Sequence, residues 1–137
     1  MKRVPRNLLL VSLASLLTDI SSEMVYPVLP FFLTATLGAT PALLGVIEGV
    51  AESVAALLRV VSGWVSDRFR KRRLPTILGY GVSTAGKALL ASAVVWPMVF
   101  AGRLADRIGK GIRTAPRDAL IAESVPHAER GRAFGFH

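Results

Sequence analysis

Residues 98–122 read MVFAGRLADRIGKGIRTAPRDALIA, a stretch of membrane-spanning length that carries five cations. On a helix, its charged residues recur at steps of three and four and form one stripe, whereas leucine, isoleucine and alanine form the opposite side. The stripe consists of Arg103, Asp106, Arg107, Lys110, Arg113 and Arg117. A charge at mid-bilayer costs about 3 kcal/mol on insertion scales, so this face must contact protein or enclosed water. Such a hidden polar face is typical of a transport path.

The composition indicates a membrane protein that nevertheless carries many cations. The 137 residues are 52% hydrophobic, with a mean hydropathy of +0.49, yet the net charge is +8. A nucleic-acid-binding protein would gather its cations on one exposed face beside a recognition motif. Here the cations lie at the ends of apolar segments and inside them, so we expect no nucleic-acid partner. A soluble basic protein remains a distant alternative, which membrane fractionation would test.

The residue types that usually carry catalysis or bind metals are scarce. There is no cysteine, which excludes disulfides and thiolate metal sites. The two histidines, His127 and His137, show no spacing typical of metal ligands. We therefore expect a protein that is not an enzyme and that has neither a metal ion nor a cofactor.

Apolar segments predict an all-α membrane protein with four transmembrane helices, each long enough to cross a hydrocarbon core of about 30 Å. The predicted spans cover residues 8–33, 41–66, 74–95 and 98–122. The segment 67–73 is predicted to be a cytoplasmic loop, and Trp96-Pro97 a tight turn at the membrane interface. The first apolar stretch is too long for a signal peptide and lacks a clear cleavage site, so we interpret it as a span.

Charges in the connections predict the orientation. Lys2, Arg3 and Arg6 precede the first span, segment 67–73 holds five basic residues, and two arginines lie within 130–132. The other two connections carry no charge. By the positive-inside rule, we expect a multi-pass protein of the cytoplasmic (inner) membrane with its N-terminus in the cytoplasm.

Charged side chains also occur inside the other spans. The first two spans lean acidic and the last two lean basic, so we expect their polar faces to share an interior where the charges neutralise one another. In one interpretation these pairs only hold helices in register, which we favour for Arg113, Arg117 and Asp118 near the cytoplasmic end. In the other, groups nearer mid-membrane line a path and exchange protons. The candidates for that path and for proton coupling are Asp19, Glu23, Glu48, Glu52, Arg59, Lys87, Arg103, Asp106, Arg107 and Lys110.

The segment GWVSDRFRKRR, residues 63–73, resembles the loop motif of the major facilitator superfamily (MFS). The matching residues are Gly63, Asp67, Arg68, Lys71 and Arg72. Arg70 stands where the motif has its second glycine, the position at which the resemblance implies a tight turn. The resemblance implies that the loop aspartate, here Asp67, takes part in gating contacts on the cytoplasmic side.

The fourth span and the residues after it resemble the fourth-helix pattern of the same family, an arginine, spaced glycines, I-A-E and P-x-x-x-RG-x-x-x-G. The matching residues are Arg103, Gly109, Gly111, Ile121, Ala122, Glu123, Pro126, Arg130, Gly131 and Gly135. Arg107 stands where glycine is more usual, and Asp106 where glutamine is common. The resemblance implies that helices one and four line a central cavity, and it associates Arg103 with proton coupling.

The family implies twelve helices in two six-helix halves that alternate access to a midplane site. We therefore expect this sequence to be the N-terminal part of an MFS domain, with the remaining helices, the lipid bilayer and a small-molecule substrate as partners. The expected function is secondary active transport of that solute, as uptake or efflux. The cations of the fourth helix weakly suggest an anionic substrate. A drug–proton antiporter with Asp19, Glu23 or Glu48 as proton carrier is equally admissible.

Two further alternatives come from other classes. A complete four-span protein can work as an oligomer, as the small multidrug resistance transporters do, although those usually need one membrane carboxylate and this sequence has at least five. A non-transporting membrane protein can use its polar faces only to bind a partner subunit. Transport by the full gene product would exclude the second.

Overall fold

Four long helices and a short fifth make up the structure, a computed structural model that describes residues 6–136. They are α1 (Arg6–Phe31, continued by a π-helical turn at Phe32–Thr36), α2 (Pro41–Phe69), α3 (Arg73–Ala91), α4 (Trp96–Glu123) and α5 (Arg130–Phe136, preceded by a 3₁₀ turn at His127–Glu129). No strand occurs in this described range, and the predicted all-α class is confirmed. Lys2 and Arg3, used in the orientation prediction, lie outside the described residues, as does His137.

The helix ends follow local chemistry, and several differ from the predicted boundaries. Pro41 opens α2 as predicted, and the side chain of Thr40 caps it by accepting from the backbone N–H of Leu43. Trp96 and Pro97 belong to α4 rather than to a turn, because a proline in the first helical turn loses no hydrogen bond. The turn itself lies before them, after Ala91, where α3 ends.

The connection between α2 and α3 is shorter than the predicted loop at 67–73. Helix α2 continues through Asp67 to Phe69, and its last turn contains Arg68, whose charge suits the negative end of a helix dipole. Arg70 then adopts a left-handed conformation with φ 51° and ψ 21°. The turn that the family motif makes with glycine therefore forms here with an arginine.

Two helical stretches, Arg6–Thr36 and Pro41–Phe69, are long and apolar enough to cross a membrane. Both carry large apolar side chains on the outside, for example Leu17 and Val60, which suits contact with lipid. Helix α3 is only 19 residues long and α4 carries the charged stripe, so the membrane crossing of these two stays a prediction.

Helix α4 is the centre of the bundle. It packs along α3 and α2, whereas α1 makes far fewer contacts. The α3–α4 contact is made by glycines: a Cβ at Gly86 would lie 2.5 Å from the backbone nitrogen of Asp106, and one at Gly79 would lie 2.6 Å from Cβ of Arg113. The two glycines are seven residues apart and lie on one side of α3, so two whole turns approach α4 at backbone distance.

Apolar clusters close both ends of the bundle. We call the end with the α1–α2 and α3–α4 connections the outer end, and the other the inner end. The outer cluster is built around Leu29, Leu33, Ile47, Ala93 and Val99. The inner cluster is built around Leu8, Ile121 and Ala133. The polar side chains of α4 lie between these two clusters, and this layer is the candidate site.

Candidate functional site

Three arginines of α4 each pair with a carboxylate from a neighbouring helix. Nε and Nη2 of Arg103 donate to the two carboxylate oxygens of Glu48 on α2, at 2.5 and 3.0 Å. We call this the outer pair. Nε of Arg107 lies 3.5 Å from Oε2 of Glu52, also on α2, and this is the middle pair.

The third, or inner, pair joins α4 to α1. Nη2 of Arg113 donates to Oδ1 of Asp19 at 2.8 Å. The guanidinium also stacks on the ring of Tyr80, 4.7 Å from its centroid. The sequence prediction placed Asp19 on the path but gave Arg113 only a role in helix register, so the structure joins a candidate to a residue that the prediction set aside.

The two members of each pair differ in accessibility. The side chains of Arg103 and Arg113 are 0% exposed and that of Arg107 is 8% exposed. Their partners Glu48, Glu52 and Asp19 are 22%, 58% and 40% exposed. Because the arginines come from the central helix and the carboxylates from the flanking ones, the open surface presents negative charge with the positive charge behind it.

Asp106 links three helices in the middle of this layer. Its Oδ1 accepts from the hydroxyls of Ser83 on α3 and of Ser22 on α1, the latter at 3.4 Å. Nζ of Lys87 lies 3.6 Å from the same oxygen and donates to the backbone carbonyl of Thr18 at 2.9 Å. The carboxylate is almost fully buried, so its charge is balanced by protein groups alone.

A hydroxyl network continues the layer toward the inner end. Oη of Tyr80 and Oγ of Ser15 are 2.5 Å apart, and Nη1 of Arg117 donates to Ser15 at 3.3 Å. Sequence reasoning missed these hydroxyl groups and that of Ser83. A signal was present, since Ser12, Ser15 and Ser22 recur at helical spacing along an otherwise apolar α1.

The arginines keep donors that no acceptor within residues 6–136 satisfies. They are Nη1 of Arg103, Nε of Arg107, and Nε and Nη1 of Arg113. Nη1 of Arg103 lies 3.7 Å from Oδ2 of Asp106, close enough for charge attraction but not for a hydrogen bond. Arg103 therefore lies between two carboxylates, bonded to Glu48 and electrostatically attracted to Asp106.

At the inner end, Arg72 joins Asp67 of the predicted loop motif to Glu123 at the end of α4. Its guanidinium lies 3.3 Å from Oδ1 of Asp67 and 2.9 Å from Oε1 of Glu123. Gly63 lies where α2 meets α4, since a Cβ there would be 3.2 Å from Cβ of Ala115.

The remaining predicted residues are not brought into this layer. Arg68 and Lys71 are exposed at the inner end. Glu23 and Arg59 are exposed and Lys110 is half-buried, and within the described range none of these three forms an ion pair.

A cavity of about 290 Å³ opens between α1 and α2 near the outer pair. Among the lining residues, Glu48 is the only charged one and Tyr26 the only aromatic one. The complete lining is Tyr26, Leu29, Pro30, Pro41, Leu44, Gly45 and Glu48. The arrangement offers an apolar space with one anionic wall.

Sequence comparison with known proteins places the chain in a family. The model of the Major Facilitator Superfamily matches residues 11–137. An uncharacterized MFS-type transporter of Methanocaldococcus jannaschii is 39% identical over 134 residues, which are 98% of this chain and 33% of that protein. An uncharacterized protein of Mycobacterium tuberculosis H37Rv is 38% identical over 105 residues, 77% of this chain and 26% of that protein.

A better described relative is more distant. The inner membrane transport protein YajR of Escherichia coli K12 is 31% identical over 114 residues, 82% of this chain and 24% of that protein. The chain thus spans a third or less of the length of these relatives. No solved structure matches the chain significantly.

Proposed function

The chain belongs to the major facilitator superfamily, and we propose that it forms the first membrane-spanning helices of a secondary active transporter for a small solute. The observation that carries this proposal is the row of buried arginines on α4, each paired with a partly exposed carboxylate. Buried ion pairs are costly, and those inside membrane helices usually mark a path for solutes or protons. Its partners are then the solute, the lipid bilayer and the remaining helices. Chemical catalysis has no part in this function.

Arg103 supplies the means of coupling because it lies between two carboxylates. When Glu48 takes up a proton, it loses its charge and its hold on the guanidinium weakens. The guanidinium then has Asp106, already 3.7 Å away, as its remaining anionic partner. A shift of about 1 Å would bring Nη1 within hydrogen-bond distance of that carboxylate. Protonation at the outer pair is thereby converted into a change in how α2 packs on α4.

Arg72 is the candidate gating residue at the inner end. It bridges Asp67, in the last turn of α2, and Glu123, the last residue of α4. Both carboxylates are well exposed, so the two contacts are individually weak and can break when the bundle moves. The proposed role is to hold the inner end closed in one of the alternating conformations.

The proposed location is the cytoplasmic membrane, with the α2–α3 connection inside the cell. The cations of that connection support this orientation, since such clusters are retained on the cytoplasmic side. One relative, from Escherichia coli, is described as an inner membrane transport protein.

The test is transport by the protein expressed from its complete open reading frame. Everted membrane vesicles energised with a proton gradient are offered a labelled organic cation, an organic anion and a neutral sugar. We expect saturable, protein-dependent movement of at least one probe, and at least a tenfold loss in Arg103→Gln at equal protein level. Vesicles that behave like protein-free controls with every probe would contradict the proposal.

A further inference from the structure

We propose that the cavity between α1 and α2 binds an organic cation with an apolar body, held by the Glu48 carboxylate and the Tyr26 ring. An organic cation is thereby the substrate class of the proposed transporter, and in that respect the inference rests on the proposed function. Its test is a binding measurement, so the two can fail separately.

The shape and lining of the cavity suit an apolar ligand body. Its volume of about 290 Å³ is close to the lower end of the range of small-molecule pockets, about 300 Å³. Leucine and proline side chains form most of the wall, and only two groups provide polarity. Pockets of this kind take their affinity from apolar burial and their selectivity from the few polar groups.

The single charged group in the wall is negative. Glu48 keeps 22% of its side chain exposed, whereas Arg103 behind it is fully buried. Both Glu48 oxygens already accept from Arg103, but a carboxylate has about four acceptor positions, so the exposed side can still receive a donor. No cation is among the residues that line the cavity. Lys87 lines a different groove between α1 and α3.

Tyr26 supplies the second element of cation recognition. The guanidinium carbon of Arg103 lies 6.0 Å from the centroid of its ring, which is within cation–π range. Tyr26 nevertheless remains 55% exposed, so the ring has surface left for a ligand. A carboxylate and an aromatic ring in one apolar cavity are the groups that recognise organic ammonium and phosphonium ions.

Charge counting along α4 suggests the opposite preference, a weak bias toward anions. That expectation weighs all cations equally, whereas a ligand in this cavity meets only groups that are accessible. The arginines lie behind their carboxylates, so the accessible charge is negative. A probe pair that differs only in the sign of its charge separates the two expectations.

Tetraphenylphosphonium and tetraphenylborate form such a pair, since both carry four phenyl groups around one central atom. The protein, purified in detergent from its complete open reading frame, is dialysed to equilibrium with each probe against protein-free micelles. We expect saturable binding of the phosphonium, at least about tenfold tighter than that of the borate. Equal binding of both ions, tighter binding of the borate, or no saturable binding overturns the proposal.

Variants assign the binding to this cavity. Glu48→Gln is expected to weaken phosphonium binding at least about tenfold, and Tyr26→Leu about threefold to tenfold. Asp118→Asn is the matched control, because it removes a carboxylate that pairs with Arg117 at the inner end of α4 and does not line the cavity. Unchanged phosphonium affinity in both cavity variants overturns the proposal.

Two further comparisons keep the test independent of folding and of transport. If Glu48→Gln does not fold, Tyr26→Leu still decides whether the phosphonium binds in this cavity, because this variant leaves the outer pair intact. Glu48→Asp, which keeps the charge, then serves as the comparison at position 48. Phosphonium binding without transport of any probe supports the cavity and contradicts the transport proposal. Transport of anions alone, without phosphonium binding, supports transport and overturns the cavity.

Discussion

Arg103 and Glu48 meet across the α2–α4 contact through two hydrogen bonds, from Nε and Nη2 of the arginine to both oxygens of the glutamate. This fork geometry is the strongest pairing available to a guanidinium and a carboxylate, and here the arginine is fully buried. Removing Glu48 leaves the buried guanidinium with only the carboxylate of Asp106, 3.7 Å away, as an anionic partner. Breaking this pair is therefore expected to cost more than breaking an ion pair on an exposed surface.

A double-mutant cycle on the outer pair measures this contribution. We expect Glu48→Gln to destabilise the protein by about 3 kcal/mol, the lower end of the cost of breaking a buried ion pair, because Asp106 still compensates part of the charge of Arg103. Arg103→Met with Glu48→Gln is expected to cost at least about 1 kcal/mol less than the sum of the single changes. Thermal unfolding in detergent gives the energies. The same cycle on Arg117 and Asp118 is the control and should show a coupling of about 0.5 kcal/mol or less; equal couplings would contradict the argument.

Asp19 is expected to stabilise Arg113 in the same way. Asp19→Asn removes the charge opposite a fully buried guanidinium, and because Asp19 is half-exposed we expect a loss of about 2 kcal/mol. Glu23→Gln is the matched control one turn further along α1, since Glu23 is exposed and forms no ion pair within the described residues. Its effect on the unfolding temperature should be close to zero. A loss of the same size in both variants would argue against a specific Asp19–Arg113 pair.

Gly86 and Gly81 on α3 offer a packing test within one helix. A methyl group at Gly86 would lie 2.5 Å from the backbone of α4, whereas nothing lies within 4 Å of the corresponding position at Gly81. We expect Gly86→Ala to destabilise the bundle by about 2 kcal/mol or more, since the contact is with backbone and cannot be relieved by a rotamer change. Gly81→Ala should be neutral or stabilising by up to about 1 kcal/mol. If both alanines are tolerated, α3 and α4 do not approach as closely as described.

Arg70 provides a test of backbone strain in the α2–α3 connection. A non-glycine residue with φ 51° pays a conformational cost of about 1 kcal/mol, which glycine does not. We expect Arg70→Gly to raise the stability by up to about 1 kcal/mol and to restore the glycine of the family motif. Lys71→Gly, at the next position, lacks a positive φ and should be neutral or destabilising. A thermal shift of the same sign and size in both variants would remove the strain explanation.

Much of the fold was predictable because its causes are local. The long apolar stretches predict helices, and Pro41 marks the start of α2. The cationic segment after residue 66 marks the connection between α2 and α3. The missed details also have local causes. Arg70 turns the chain without a glycine, and Pro97 enters the helix that it was expected to precede.

The site was less predictable because its partners are distant in the chain. The outer pair joins residues 55 apart in sequence and the inner pair joins residues 94 apart. Helical spacing shows which residues share a face of one helix, but not which face of a neighbouring helix meets it. The hydroxyl groups of Ser22 and Ser83 became part of the site only because α1 and α3 both face Asp106.

The sequence by itself determined that the charged face of α4 had to be hidden, because a row of charges cannot face lipid and no other helix offers so many. Only the tertiary structure decided which carboxylate compensates each arginine and which member of each pair stays accessible. That choice depends on the central position of α4 and on the rotation of α1 and α2 around it. Burial at the centre hides the arginines and leaves Asp19, Glu48 and Glu52 at the open surface.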